Sequence, residues 1–154
     1  MTILVLGIGS PFADDQAGWL VADQLKLAVN LQSKIERGEL LIESEDRPGL
    51  NLLDWLQRGY HKIYLVDMVK TNLAETGNLY ELQAKDIIGF SGMLSSHNLG
   101  VSPSLALAEV LGYDISNITF LGIEGEFHQV SEEISPAMLA AVESVVSQLI
   151  LSLS

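Results

Sequence analysis

The amino-terminal segment constrains the fold more than any other part of this sequence. An apolar run over residues 3–6 is followed by Gly7 and Gly9, a proline turn, two acids and a segment of helical character that begins near Asp15. A continuous apolar strand is typical of a central parallel strand that is buried on both faces. The glycines allow the backbone to turn sharply at the carboxyl end of that strand. The segment therefore predicts the first strand and helix of an open α/β sheet.

Apolar runs and helical patterns alternate along the rest of the chain. Such alternation predicts a three-layer α/β/α fold with a mostly parallel, twisted central sheet of about five strands and right-handed crossovers. The fourth predicted strand alternates polar and apolar residues, which favours an edge position and allows an antiparallel direction. We expect one domain over residues 1–154, with its longest mobile loop from Lys85 to Ser96. The predicted strands lie near residues 2–8, 40–44, 62–67, 77–83 and 116–123, and the predicted helices near residues 15–29, 50–58, 99–111 and 136–151.

Composition narrows the classes of function. The chain has 20 acidic and 8 basic residues and a formal net charge of −12, so its surface should repel phosphate backbones and anionic bilayers. We expect no nucleic-acid and no membrane partner, whereas a basic peptide or a cationic metal centre would be attracted. The absence of cysteine excludes disulfides and thiolate catalysis and fits a reducing compartment. No signal-like segment opens the chain and no run approaches the ~18 apolar residues of a membrane span, so we expect a cytoplasmic protein.

Several well-known sequence signatures of enzymes do not occur. The dinucleotide-binding pattern Gly-x-Gly-x-x-Gly fails at its third glycine, where the chain has Phe12 after Pro11. The chain also lacks the Gly-x-Ser-x-Gly elbow, the His-Glu-x-x-His pair and a phosphate-binding loop. The sequence therefore gives no motif support for a serine hydrolase, a zincin or a nucleoside triphosphatase.

Three metal-capable side chains fall where an open α/β sheet would bring them together. Asp15 follows the first strand, Asp67 ends a buried strand, and His97 lies at the start of a helix. In such sheets the functional crevice lies outside the carboxyl ends of the strands. Two carboxylates and one imidazole suit nickel or zinc, and three protein ligands leave room for a substrate group. Each residue also has an ordinary explanation, because Asp15 and Asp14 suit a helix cap, Asp67 suits a turn, and a lone histidine is usually solvated.

These residues, taken with their neighbours, resemble the hydrogenase maturation endopeptidases over most of the chain. The resemblance rests on four motifs: Gly7-x-Gly9, Asp14-Asp15-x-x-Gly18, the strand-terminal Asp67 and Ser96-His97-x-x-Gly100. It continues through two glycine-bearing segments, Arg47-Pro48-Gly49-Leu50 and Gly122-Ile123-Glu124. The chain has Ser10, Pro48 and Gly125-Glu126 where the family often has Asn, Thr and Pro-Glu. These departures leave open the choice between Asp14 and Asp15 and the roles of Arg47 and Glu124.

The resemblance implies an endopeptidase that removes the C-terminal extension of a [NiFe] hydrogenase large-subunit precursor after nickel insertion. It implies that Asp15, Asp67 and His97 are both the catalytic and the metal-binding residues. Nickel would be supplied by the substrate as a recognition handle, with zinc or cadmium able to substitute in vitro. The alternative is a non-catalytic nickel-sensing or chaperone-like protein that docks on the large subunit through the same ligands.

Three further acidic or histidine residues are expected to be dispensable for cleavage, because they suit capping or solvent-exposed positions. They are Asp14, His61 and His128. We also expect the protein to act as a monomer.

Overall fold

Five strands form one sheet in the computed structural model, which describes residues 1–46, 51–89, 101–126 and 133–154. The strands are β1 (Ile3–Gly9), β2 (Leu40–Asp46), β3 (Lys62–Val69), β4 (Leu79–Gln83) and β5 (Ile118–Glu124). Their order across the sheet is β2-β1-β3-β5-β4. All neighbouring pairs are parallel except β4 and β5, which are antiparallel. The predicted mostly parallel sheet is confirmed, and so is the edge position of its fourth strand, which is the antiparallel one.

The helices differ from the prediction mainly where they are short. They are α1 (Ala17–Leu27), α2 (Gln32–Glu36), α3 (Leu52–Leu56), α4 (Ala84–Gly89), α5 (Val101–Val110) and α6 (Pro136–Leu153). The helix predicted from residue 15 begins instead with a separate 3₁₀ turn, Ala13–Gln16. The prediction of a mobile loop from Lys85 is wrong over its first residues, because these residues belong to α4, in which Ile87 is buried. Helices of five or six residues give too few turns for a clear period, and residues 90–96 of that predicted loop lie outside the described residues.

Helices cover both faces of the sheet, as predicted. Because successive side chains of a strand point to opposite faces, Val5 packs in one core and its neighbours Leu4 and Leu6 pack in the other. The first core contains buried residues of α1 and α6, and the second contains buried residues of α3, α4 and α5. The three-layer arrangement is therefore confirmed.

Helix α6 has the length and composition of a membrane span but packs as a core helix. Its 18 residues have a mean hydropathy of 1.6, and 39% of them are buried. The expectation that no segment would reach such an apolar length was therefore wrong. The helix directs Met138, Val142 and Val145 into the first core, and the Lys34 Nζ donates a hydrogen bond of 2.6 Å to the carbonyl oxygen at position 153. A cation at this end of a helix also stabilises its dipole.

Close packing of α1 against the sheet explains the glycines of the first motif. A Cβ atom on Gly18 would lie 2.3 Å from the Ile8 carbonyl oxygen and 2.5 Å from the Val66 carbonyl oxygen. A Cβ atom on Gly7 would lie 2.1 Å from the Gly18 carbonyl oxygen, and one on Gly9 would lie 2.5 Å from the Asp15 carbonyl oxygen. Only glycine permits these approaches. The start of α1 and the 3₁₀ turn before it therefore lie directly on the carboxyl ends of β1 and β3.

Candidate active site

Asp15 lies in the 3₁₀ turn that connects β1 to α1. Its backbone N–H donates to the Phe12 carbonyl oxygen at 3.0 Å, and its carbonyl oxygen accepts from the Ser10 N–H at 3.1 Å. Ala13, which begins the turn, has a φ of 45°, a left-handed conformation that is uncommon for a residue other than glycine. The chain thus reverses sharply after β1, and Asp15 is only 2% exposed.

Asp67 lies inside β3 rather than at its end, because the strand continues to Val69. The strand was predicted to end at Asp67, two residues before the end that the structure shows. Pairing between β1 and β3 ends at Gly7 and Val66, whereas Asp67 still pairs with Gly122 of β5. The Asp67 side chain is fully buried. Strand alternation puts it on the same face as Leu65, the face that α3, α4 and α5 cover.

The third predicted ligand, His97, lies outside the described residues. Helix α5 begins at Val101 and packs on the face of the sheet that carries Asp67. Within the described parts of the chain, no group of three or more histidine or acidic residues could hold a metal ion. The three-residue site therefore stays a prediction, with two of its members described.

The two described carboxylates approach the same edge of the sheet from different elements. Asp15 precedes Gly18 by three residues, and Gly18 packs against Val66, the residue before Asp67. Both acids are buried, at 2% and 0% exposure, at the edge where the sequence predicts a functional crevice. The carboxyl edge of an open α/β sheet is where functional groups of such folds usually lie, so both acids are candidates for chemistry.

The sequence predicted that Asp14 caps a helix or faces solvent, and the structure shows neither. The residue is 1% exposed, and its carboxylate accepts hydrogen bonds from the backbone N–H groups of Glu126 and Ser135, each at 2.8 Å. The Ser135 hydroxyl donates a third bond at 3.0 Å. These donors lie 112 and 121 positions away in the chain. No local pattern around Asp14 could have indicated them.

Glu124 organises the connection between β3 and β4 at the same edge. This buried carboxylate accepts a hydrogen bond from the Thr71 N–H at 2.9 Å and one from the Tyr80 hydroxyl at 3.0 Å. The Thr71 hydroxyl also donates to it. An acid at the end of β5 was noted in the sequence without a role. Its contacts now indicate that it holds the loop after β3 in place.

A cavity of about 440 Å³ opens beside this connection. Lys70 of the β3–β4 connection, Glu124 and Glu126 at the end of β5, and Ala137 of α6 contribute to its walls. Neither Asp15 nor Asp67 lines it. The cavity therefore gives solvent-accessible space beside Glu124 and Glu126 and does not include the two buried acids.

His61 lies at the opposite end of the sheet from the two acids. It immediately precedes β3, is exposed, and donates its backbone N–H to the Thr2 carbonyl oxygen at 2.8 Å. This position agrees with the solvent-exposed position predicted for it. His128 lies outside the described residues.

Solved structures share this architecture over nearly the whole chain. A solution structure of an endopeptidase from Escherichia coli matches with a TM-score of 0.79 and 21% identity, covering 99% of this chain and 92% of that chain. The hydrogenase maturating endopeptidase HybD from Escherichia coli matches with a TM-score of 0.78 and 19% identity over the same shares. The [NiFe] hydrogenase maturation protease HybD from Thermococcus kodakarensis matches with a TM-score of 0.74 and 20% identity over 100% of both chains. The fold is thus that of the hydrogenase maturating endopeptidases.

Sequence comparison identifies the family directly. Residues 47–152 match the sequence profile of the HycI family, described as hydrogenase maturation protease. Because this match spans more than half of the chain, the protein belongs to the hydrogenase maturation proteases and is a peptidase. Comparison with curated protein sequences gave no match.

Proposed function

We propose that this protease removes the C-terminal extension of a [NiFe] hydrogenase large-subunit precursor after nickel has been inserted. The observation that carries the proposal is the placement of Asp15 and Asp67, two buried acids at the carboxyl edge of the sheet, in a chain of this family. Family membership also favours cleavage over the alternative of docking without cutting.

Nickel bound in the precursor serves in this proposal as the recognition handle. Asp15, Asp67 and His97 would contact it from separate elements, and three protein ligands leave at least one coordination position for groups of the precursor. Such a set is incomplete until the substrate supplies the metal and its remaining ligands. The free protease should therefore bind nickel weakly, and zinc or cadmium should occupy the same ligands in vitro.

Peptide hydrolysis at this edge requires activation of water and of the scissile carbonyl. Water adds through its oxygen to the carbonyl carbon and gives up a proton, the C–N bond breaks, and the departing amine takes up a proton. A divalent ion beside the peptide bond can polarise the carbonyl or lower the pKa of a bound water, and a free carboxylate can accept the proton. The chain supplies no cysteine for a thiol route.

The decisive test compares nickel-loaded and nickel-free large-subunit precursor, each incubated with the wild-type protein. Mass spectrometry of the precursor should show loss of the tail only when nickel is present. Cleavage of both forms at equal rates would overturn nickel as the recognition handle. Binding that depends on nickel, with no tail removed under any condition, would overturn the protease function and support the docking alternative.

A further inference from the structure

The Asp14 carboxylate accepts hydrogen bonds from both the end of β5 and the start of α6. One of its oxygens accepts from the Ser135 N–H at 2.8 Å. The other accepts from the Glu126 N–H at 2.8 Å and from the Ser135 hydroxyl at 3.0 Å. Hydrogen bonds to an ionised carboxylate are stronger than those between neutral groups. Asp14 is therefore held firmly although it lies in a short turn.

The partners of Asp14 are themselves fixed parts of the fold. Glu126 lies two residues after the end of β5, and Ser135 is the N-cap of α6. The Ser135 hydroxyl oxygen also accepts from the Met138 N–H at 3.2 Å, and Met138 is fully buried in the first core. A single carboxylate thus connects the turn after β1 to a central strand and to the longest of the described helices.

Asp15 is the next residue in the same turn of four, Ala13–Gln16. A 3₁₀ turn has about three residues per turn, so adjacent side chains point in directions about 120° apart. When the Asp14 carboxylate is held, the direction in which the Asp15 side chain leaves the turn is also set. The backbone bonds of Asp15 to Ser10 and Phe12 support the turn from the β1 side.

We propose that Asp14 is a positioning residue for the cleavage reaction, whose carboxylate holds the turn so that Asp15 is presented at the edge it shares with Asp67. The inference rests on the proposed function, in which Asp15 contacts the precursor's metal. It replaces the expectation from sequence that Asp14 is dispensable. Misplacement of a reacting group by about 1 Å can cost on the order of 100-fold in rate, so control of this turn should affect catalysis.

A purely structural role for Asp14 would give a different pattern of effects. In that case its loss would only destabilise α6, and any other change that destabilises α6 equally would reduce activity equally. Val145→Ala supplies this control, because Val145 is a core residue of α6 with 2% exposure and belongs to a different part of the helix. Asp14→Asn preserves the size of the side chain but replaces one accepting oxygen with an amino group. Ser135→Ala removes one donor and keeps the backbone N–H.

The experiment measures kcat and KM for cleavage of nickel-loaded precursor by these three variants and the wild type, at a temperature where all are folded. Asp14→Asn should lower kcat about 10–100-fold, the range typical of residues that orient a metal ligand, and should also raise KM, because Asp15 contacts the nickel by which the precursor is recognised. Ser135→Ala should lower kcat less, and Val145→Ala should match the wild type. Equal kcat values for Asp14→Asn and Val145→Ala would overturn the proposal.

Crystal structures of the wild type and the Asp14→Asn variant give a second readout that does not depend on cleavage. The Asp15 carboxylate should shift relative to Asp67 by about 1 Å or more. An unchanged Asp15 carboxylate would overturn the positioning role even if kcat falls. If the wild type fails to cut nickel-loaded precursor, the proposed function fails, and the position of Asp15 still decides whether Asp14 holds it.

Discussion

At the scale of single residues, Asp14, Asp15 and Asp67 are all buried. Asp14 accepts hydrogen bonds from distant parts of the chain, and Asp15 and Asp67 lie at the edge where α1 contacts β1 and β3. Burial strengthens the electrostatic interaction between a carboxylate and any charge placed beside it, because the surrounding dielectric is low. A cationic metal centre carried by a precursor would therefore interact strongly with Asp15 and Asp67.

Replacement of the predicted metal ligands should impair cleavage of the nickel-loaded precursor without affecting folding of the protease. We expect Asp67→Asn and His97→Ala to fold normally but to lose at least about 10–100-fold in cleavage of nickel-loaded precursor, because even changes to groups behind a metal ligand have effects of that size. His61→Ala is the matched histidine control and should cleave as the wild type does. The measurements are circular dichroism for folding and mass spectrometry for tail removal. Normal cleavage by either ligand variant would remove that residue from the site.

At the scale of secondary-structure elements, the site depends on how closely α1 approaches the sheet. The Gly18 backbone lies so near the carbonyl oxygens of Ile8 and Val66 that a methyl group cannot be accommodated without movement. Both obstructing atoms belong to the backbone of central strands, which cannot rotate away as a side chain could. The glycine motif is therefore explained by packing between β1, β3 and α1.

Gly18→Ala should push α1 and the turn before it away from the sheet. Overpacking of a tight core typically costs about 1–3 kcal/mol, so we expect a loss of that size in the free energy of unfolding, measured by urea denaturation. Cleavage should fall as well, since the same movement displaces Asp15. Asp23→Ala changes an exposed position of the same helix and should stay within about 0.5 kcal/mol of the wild type. A Gly18→Ala protein as stable as the Asp23→Ala protein would contradict this account of the packing.

At the scale of the whole molecule, charge is the dominant property. A formal net charge of −12 on 154 residues gives a field that favours cationic partners and speeds their approach. Exposed charges act over roughly the Debye length, which is about 8 Å at physiological ionic strength. Association with a positively charged region of the precursor should thus be sensitive to salt.

The association rate of the protease with its precursor should fall as salt rises. Stopped-flow measurements from low to high sodium chloride concentration should show a decreasing association rate with a smaller change in dissociation rate, because steering by exposed charges acts mainly before contact. The Asp23→Ala variant, which removes one exposed acid, should show only a slightly weaker dependence. An association rate independent of salt would mean that the acidic surface does not guide the encounter.

Sequence by itself determined the order and type of the main elements, since these depend on local pattern. Continuous apolar runs predicted the central strands, polar and apolar alternation predicted β4 as an edge strand, and the helix predicted near residues 136–151 is α6. The motifs around Asp15, Asp67 and His97 also indicated the family that the sequence profile confirms. The short helices α2 and α4 were missed because they contain too few residues to show a period.

Only the tertiary structure decided what the buried polar groups do and which side of α6 is covered. Asp14 is joined to Glu126 and Ser135, and Glu124 is joined to Thr71 and Tyr80, by contacts between residues far apart in the chain. The apolar length of α6 is explained by its packing in the core. Local pattern carries information about a few neighbouring residues, whereas hydrogen bonds and burial depend on which segments the folded sheet brings together.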